Sequence, residues 1–259
     1  MPRSVVIVAG GHAYDSAAFA RMWARVAPER HTIFPRESLA AALDTALAQQ
    51  SVLVLYDLSG IDVTRGQPVV VHQPPSDVLR GFAALNAAAT PILAMHHALA
   101  SWPTWPSYAE LLGGRFHYQA GTLRGEQWPA SGFRLDVRQG IAIETTAHPI
   151  CTGLARGFDL VDEPYLCPIF ANEVTVLMTT DAPREDTFYV PVDSSVAGHP
   201  NERRGWRHPP TPPAAVWCRD DGRLRLVYVQ PGHNASTFDD PNYRLLLSNS
   251  LVWLSECGD

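Results

Sequence analysis

The sequence predicts an α/β protein: a doubly wound, mostly parallel sheet with helices on both faces and a small antiparallel extension. Three observations carry that expectation. Through the first half, short apolar or β-branched runs alternate with amphipathic stretches of helical length. Residues 52–56 and 92–95 are almost continuously apolar, as strands buried on both faces are. In the middle of the chain the pattern changes to alternation, as in Phe133-Arg134-Leu135-Asp136-Val137 and Ile141-Ala142-Ile143-Glu144, which suits half-exposed strands.

Taken in order, residues 5–9 form the first strand and stop at Gly10-Gly11-His12. Asp15 caps a helix whose apolar face is Phe19, Met22, Trp23 and Val26, spaced i, i+3, i+4, i+7. Residues 32–34 are a short second strand, 38–50 an alanine-rich helix, 52–56 the third strand and 77–88 the next helix. The fourth strand, 92–95, ends at His96-His97, and a helix is expected to follow it through Leu112. Residues 115–150 hold the half-exposed strands. Residues 191–213, rich in Pro, Gly, His and Arg, read as a long loop, either a lid or an ordered surface excursion. A strand over 214–218, a turn at Asp221-Gly222 and a strand over 224–229 lead into Gln230-Pro231-Gly232-His233. Asp240 caps a last helix that opens on Pro241, with an expected apolar face of Leu245, Leu246, Val252 and Trp253. No internal repeat interrupts this order, and residues 1–259 read as a single domain.

Composition narrows the function classes. A chain of 259 residues can bury a sizeable core, and 46% hydrophobic with 18% charged residues fits a globular protein. The net charge of −6, relieved only at Arg203-Arg204 and Arg207, argues against a nucleic-acid partner. No apolar run approaches the roughly 18 residues that span a bilayer, and none near the N-terminus reaches the roughly 7–15 of a secretory signal. The expectation is a cytoplasmic protein with no membrane partner. Cys151, Cys167, Cys218 and Cys257 form no C-x-x-C pair and are expected as buried free thiols. G-x-G-x-x-G is absent, so no nucleotide cofactor is expected.

The chemistry concentrates at strand ends. If the apolar strands are parallel neighbours, His12, His96-His97 and His233 meet at the carboxyl edge of the sheet, where such folds bind ligands. Gly10-Gly11 lets backbone amides approach an anion or a substrate oxygen, or is simply a tight turn. Adjacent side chains in a sharp turn diverge, so one of His96 and His97 faces the site and the other packs. His148 and Asp162-Glu163-Pro164-Tyr165 form a second group. Asp162 and Glu163 read by default as an exposed loop; functionally, Glu163 faces the histidines as base or ligand. A set of histidines and carboxylates suits a divalent metal, zinc or manganese, with His12, His96 and His233 as ligands. No H-E-x-x-H or H-x-H spacing marks such a site. Trp102 and Trp105 either stack on a sugar face or pack in the core.

In combination these pieces resemble the ThuA-like (trehalose utilisation) family of the class I glutamine amidotransferase-like superfamily. The matching residues are Gly11-His12, His96-His97-Ala98 with Trp102, Gly113-Gly114-Arg115-Phe116, His148-Pro149-Ile150, Asp162-Glu163-Pro164-Tyr165, Trp217, Gly232-His233 and the helix over 245–253. The resemblance implies a flavodoxin-like fold and a role in sugar metabolism in which keto-sugars are intermediates. It also implies a lost activity. The amidotransferase nucleophile sits in a G-x-C-x-G elbow, and here His96 holds the cysteine's place in Ala94-Met95-His96-His97-Ala98. The acidic residue expected two positions after the catalytic histidine is Ala235, so glutaminase activity is not expected.

Two function classes follow. In the first, the protein is an enzyme acting on a sugar or keto-sugar, with His96, His233, His12 and Glu163 as the catalytic set and His97, Trp102, Tyr165 and His148 binding substrate. A histidine then either abstracts the proton beside a ketone or helps hold a metal that polarises the carbonyl. In the second, a carbohydrate-binding or regulatory protein uses the same pocket without turnover. Flavodoxin-like domains often pair, so a homodimer is a further expectation by analogy of fold.

Overall fold

Nine strands form the central sheet: β1 (Val5–Gly10), β2 (His31–Pro35), β3 (Val52–Asp57), β4 (Ile92–Met95), β5 (Val137–Ile143), β6 (Gly157–Asp162), β7 (Thr175–Thr180), β8 (Ala214–Asp220) and β9 (Arg225–Val229). Their order across the sheet is β6-β5-β7-β8-β9-β4-β3-β1-β2. The half from β9 to β2 is wholly parallel, and β8, β7, β5 and β6 continue it in antiparallel pairs. Seven of the nine strands therefore point one way. This computed structural model describes residues 3–154, 157–200, 202–203 and 205–256; Arg204 and Cys257 lie outside the described residues.

Helices α1 (Ser16–Val26), α2 (Leu39–Ala48), α3 (Ser76–Ala87), α4 (Pro106–Leu112), α5 (Val192–Val196), α6 (Ala235–Asp239) and α7 (Pro241–Ser255) complete the chain. Side chains alternate along the inner parallel strands, so each of these feeds two cores. Val5, Ile7, Val54, Leu93 and Val227 pack under α1 and α7, while Val6, Val8, Leu53, Leu55 and Ala94 pack under α2 and α3. Asp15 caps α1 through a bond from the Ala18 amide, as its place in the sequence predicts. Cys151, Cys167 and Cys218 are free and buried. Among the described residues no helix is long and apolar enough to cross a membrane.

Several elements depart from the sequence pattern. The antiparallel extension is four strands wide, and β6 and β7 have no counterpart in the reading above. The chain after β4 does not run straight into a helix; a tight 3-10 turn over His96–Ala100 comes first, and α4 starts at Pro106. The 191–213 segment carries the short helix α5. The face of α7 is corrected as well. Tyr243, Leu246, Leu247, Leu251 and Leu254 are buried with Trp253, whereas Val252 is 56% exposed and Leu245 only half-buried. Polar and apolar residues are spread round the helix without one clean stripe, so composition alone could not orient it.

Leu93 sits fully buried in the centre of the sheet, paired with Val54 on one side and Val227 on the other. Leu93→Ala is expected to lower the unfolding free energy by about 2–5 kcal/mol in urea titrations, the range for a buried leucine that leaves a cavity.

Candidate functional site

β1, β4 and β9 deliver their histidines to one edge because they are parallel and nearly adjacent in the sheet. β6 ends at that edge too, although three strands separate it from β9. The link is Asp162, which is fully buried. Its Oδ1 accepts the amides of Glu163 (2.7 Å) and His233 (3.0 Å), and its Oδ2 accepts the Gly232 amide (3.1 Å) and the Thr237 hydroxyl. The extension is thereby clamped over the carboxyl end of the parallel strands, and Glu163 enters the histidine cluster. Asp162 and Glu163 are thus not an exposed loop; both are buried. Gly232 has φ +142°, and a Cβ there would meet the Tyr243 hydroxyl at 2.8 Å, so the turn carrying His233 requires glycine.

His96 occupies the strand-to-turn elbow with φ +45°, a left-handed conformation that costs a non-glycine residue about 1–3 kcal/mol. Its surroundings fix it there. The Tyr228 hydroxyl donates to its carbonyl at 2.8 Å, and its Nδ1 donates to the Gln230 carbonyl at 2.7 Å. That bond fixes the orientation of the ring and aims Nε2 into the cluster. Nε2 lies 2.9 Å from Glu163 Oε2, 3.3 Å from His233 Nδ1 and 2.9 Å from the Tyr165 hydroxyl. His233 Nδ1 is 3.1 Å from Glu163 Oε2, which closes a triangle of three donor atoms. His97 completes a set of four residues whose ligand atoms lie within 4.8 Å of one another. Its Nδ1 is 3.3 Å from the Tyr165 hydroxyl. Tyr165 is held over the cluster by a small sheet in which Gly132–Phe133 pairs with both Tyr165–Leu166 and Val190–Pro191.

The electrostatics follow from burial and pairing. Burial pushes the Glu163 carboxyl up, but hydrogen bonds from His233 and His96 outweigh it and hold the group at about 2. Burial lowers His233, yet the Glu163 carboxylate more than compensates and leaves it above its ordinary value. His97 is kept neutral by burial and by the neighbouring histidines. Two histidine nitrogens and one carboxylate oxygen at this spacing form a donor set suited to zinc or a similar divalent cation, with His96 oriented by a backbone carbonyl as metal-bound histidines usually are.

Other candidates fall elsewhere. His12 touches the cluster, its ring centroid 4.1 Å from that of His97, but its nitrogens face the carbonyls of Tyr56 (3.0 Å) and Ala13 (3.2 Å). Burial lowers it to about 4. Glu163 and His97, not His12, stand in the donor set with His96 and His233. His148 is removed from the site. It caps the turn at Pro149–Cys151, lies 3.7 Å from Cys218 Sγ and packs on Trp253 under α7. Trp102 is a core residue, 6% exposed, packed against Gly60, and its carbonyl accepts from the buried Arg115. Gln230 has no role in the reading above, yet its carbonyl orients His96 and its Nε2 donates to the Glu163 carbonyl at 2.5 Å. Its position directly after β9 was the available signal. A cleft of about 570 Å³ opens above Glu163, His97 and Tyr165.

The model of the ThuA family, described as trehalose utilisation, matches residues 5–254. The chain belongs to this family. A ThuA-like protein of Parabacteroides merdae is 14% identical and superposes with a TM-score of 0.65 over 99% of this chain and 91% of its own. A ThuA-like protein of Bacteroides uniformis is 16% identical, with a TM-score of 0.64 over 99% and 94%. A cytoplasmic protein of Salmonella typhimurium is 9% identical, with a TM-score of 0.56 over 96% and 98%. At these identities the likeness is one of fold. A search of curated proteins returns no match.

Two predictions follow from the clamp and the buried pair. Asp162→Ala leaves the Glu163, Gly232 and His233 amides without their acceptor, at about 1–3 kcal/mol for each buried group, and urea unfolding should register the loss. The Glu163–His233 pair should also give stability a bounded pH window. The depressed Glu163 contributes above its ordinary 4.5 and loses that contribution as pH falls toward 2. The raised His233 contributes below its ordinary 6.5 and loses that contribution as pH rises through its folded value. With chelator present, the stability difference between wild type and Glu163→Gln should peak between pH 4.5 and 6.5 and shrink on either side.

Proposed function

We propose that this ThuA-family chain is a metal-dependent enzyme of sugar metabolism that acts on a keto-sugar. The observation that supports it is the triangle of His96 Nε2, Glu163 Oε2 and His233 Nδ1, with edges of 2.9, 3.1 and 3.3 Å. A tetrahedral cation with bonds of about 2.0–2.1 Å separates its ligands by roughly this much and keeps a position open for substrate. The family's description, trehalose utilisation, supplies the substrate class.

A divalent cation held by His96, Glu163 and His233 would supply a Lewis acid for the ketone oxygen. His97, neutral and at the floor of the cleft, takes the proton from the carbon beside the ketone. The C–H electron pair becomes the double bond of an enolate, whose negative charge rests on the former ketone oxygen. Return of that pair expels a substituent on the next carbon as an elimination, or a proton returns elsewhere as an isomerisation. The Tyr165 hydroxyl, 2.9 Å from His96 and 3.3 Å from His97, orients both rings. Glutaminase chemistry has no place in this reading, since an imidazole holds the elbow where a thioester would form.

Elemental analysis of the purified protein is the test. Close to one equivalent of zinc is expected, reduced at least tenfold in His233→Ala and Glu163→Ala, with turnover of keto-sugars lost alongside. Manganese in its place would keep the mechanism and change the metal. A protein that binds neither metal when titrated by calorimetry would overturn the reading. Tight sugar binding without turnover would replace it with a carbohydrate-binding role.

A further inference from the structure

The cleft above the cluster is chemically two-sided. Its floor is polar, formed by Glu163, His97 and Tyr165. Its walls are Phe116, Phe133, Val192 and Val196, with Tyr118 beside them. The apolar character continues to the mouth, where Leu135 is 50% and Val63 38% exposed. The Phe116 ring lies 4.5 Å from that of Tyr165, so the aromatic wall starts directly at the reacting end. The mouth is a built rim: the Gly66 amide donates to the Val196 carbonyl at 2.7 Å, joining the segment that carries Val63 and Arg65 to α5.

A sugar ring presents hydroxyl groups around its whole edge, and each needs a partner when it leaves water. Sites that enclose two sugar rings must supply carboxylates or amides along their walls. Among the described residues Glu163 is the only carboxylate lining the cleft, and His96 and His233 already occupy it. Besides the floor groups, the only polar side chains lining it among the described residues are Tyr118, Ser195 and Arg65. The described side chains concentrate polar partners for one sugar at the floor and offer few for a second further out.

We propose that the outer cleft is a subsite for an apolar, ring-bearing group joined to the sugar, so that the substrate is an aryl or alkyl glycoside, in its keto form, and not a disaccharide. This rests on the reading that a sugar meets the metal-donor cluster, and it narrows that substrate class. Leu135, Phe133 and Val196 are then specificity-determining residues.

Calorimetric titration of the protein as purified with phenyl glucopyranoside, methyl glucopyranoside, trehalose and phenol tests it. Phenyl glucopyranoside is expected to bind about 10–100-fold more tightly than methyl glucopyranoside, the discrimination that burying one ring in an apolar site gives. It should also bind more tightly than trehalose. Leu135→Ser, at an exposed position that tolerates substitution, and Phe133→Ala should each shrink the phenyl preference several-fold with metal content unchanged. Equal affinity for the two glucosides, or tighter binding of trehalose, overturns the proposal and leaves the keto-sugar reading standing. Phenol binding as tightly as its glucoside would support the apolar subsite and overturn the sugar reading. Binding of none of the four overturns the subsite.

Discussion

One buried carboxylate organises this molecule. Asp162 ends a strand at the far edge of the sheet, yet its two oxygens take up amides from its own successor and from the turn after β9. A carboxylate at full burial is tolerable only when donors surround it, and here the donors are the backbone of the site itself. The bonding runs both ways: the turn at Gly232-His233 gives Asp162 its donors, and Asp162 gives the turn its shape. Glu163 reaches the histidines because its neighbour is anchored this way. Thr237, at the start of the chain's return through α6, adds a fourth donor and ties the last layer to the same point.

Around that clamp the protein supports strain with rigidity. His96 is left-handed at a junction where a strand stops and a 3-10 turn starts. Three tyrosine hydroxyls hold the carbonyls of the two facing turns: Tyr228 on His96, Tyr243 on Pro231 and Tyr56 on Gly232. Each ring is buried in the core and its hydroxyl reaches the sheet edge, which suits an amphipathic side chain. The imidazole at the elbow is thus set from both ends, through its backbone carbonyl and through Nδ1, and Nε2 can only face the cluster. A site built on strand ends and backed by packed tyrosines holds its geometry more closely than one built on loops.

The parts of the site legible in the sequence were those where polar residues interrupt apolar runs. His96-His97 after ILAM and Gly232-His233 after RLVYV are of this kind, and both lie where the strand pattern puts them. His12 was legible by the same logic and does reach the edge, but its nitrogens are drawn to the carbonyls of Tyr56 and Ala13. Periodicity locates a Cα and says nothing of which way an imidazole hydrogen-bonds. His148 and Trp102 failed differently. Both stand among residues that match the family, yet one caps a turn under α7 and the other fills a core against Gly60.

By itself, then, the sequence determined the local pieces. Uninterrupted apolar runs fixed the central parallel strands, Asp15 and Asp240 fixed two helix starts, and histidines at strand ends fixed the edge where chemistry sits. These are near-neighbour properties of the chain, set by side-chain period and by backbone hydrogen bonding. Only the tertiary structure decided that Glu163, 67 residues from His96, closes the donor triangle, that the Gln230 carbonyl orients the His96 ring, and that the cleft above is walled with apolar rings. Those outcomes depend on how the end of the four-strand extension is bonded to the turn after β9. That junction is set by contacts between residues far apart in the chain, which no local pattern encodes.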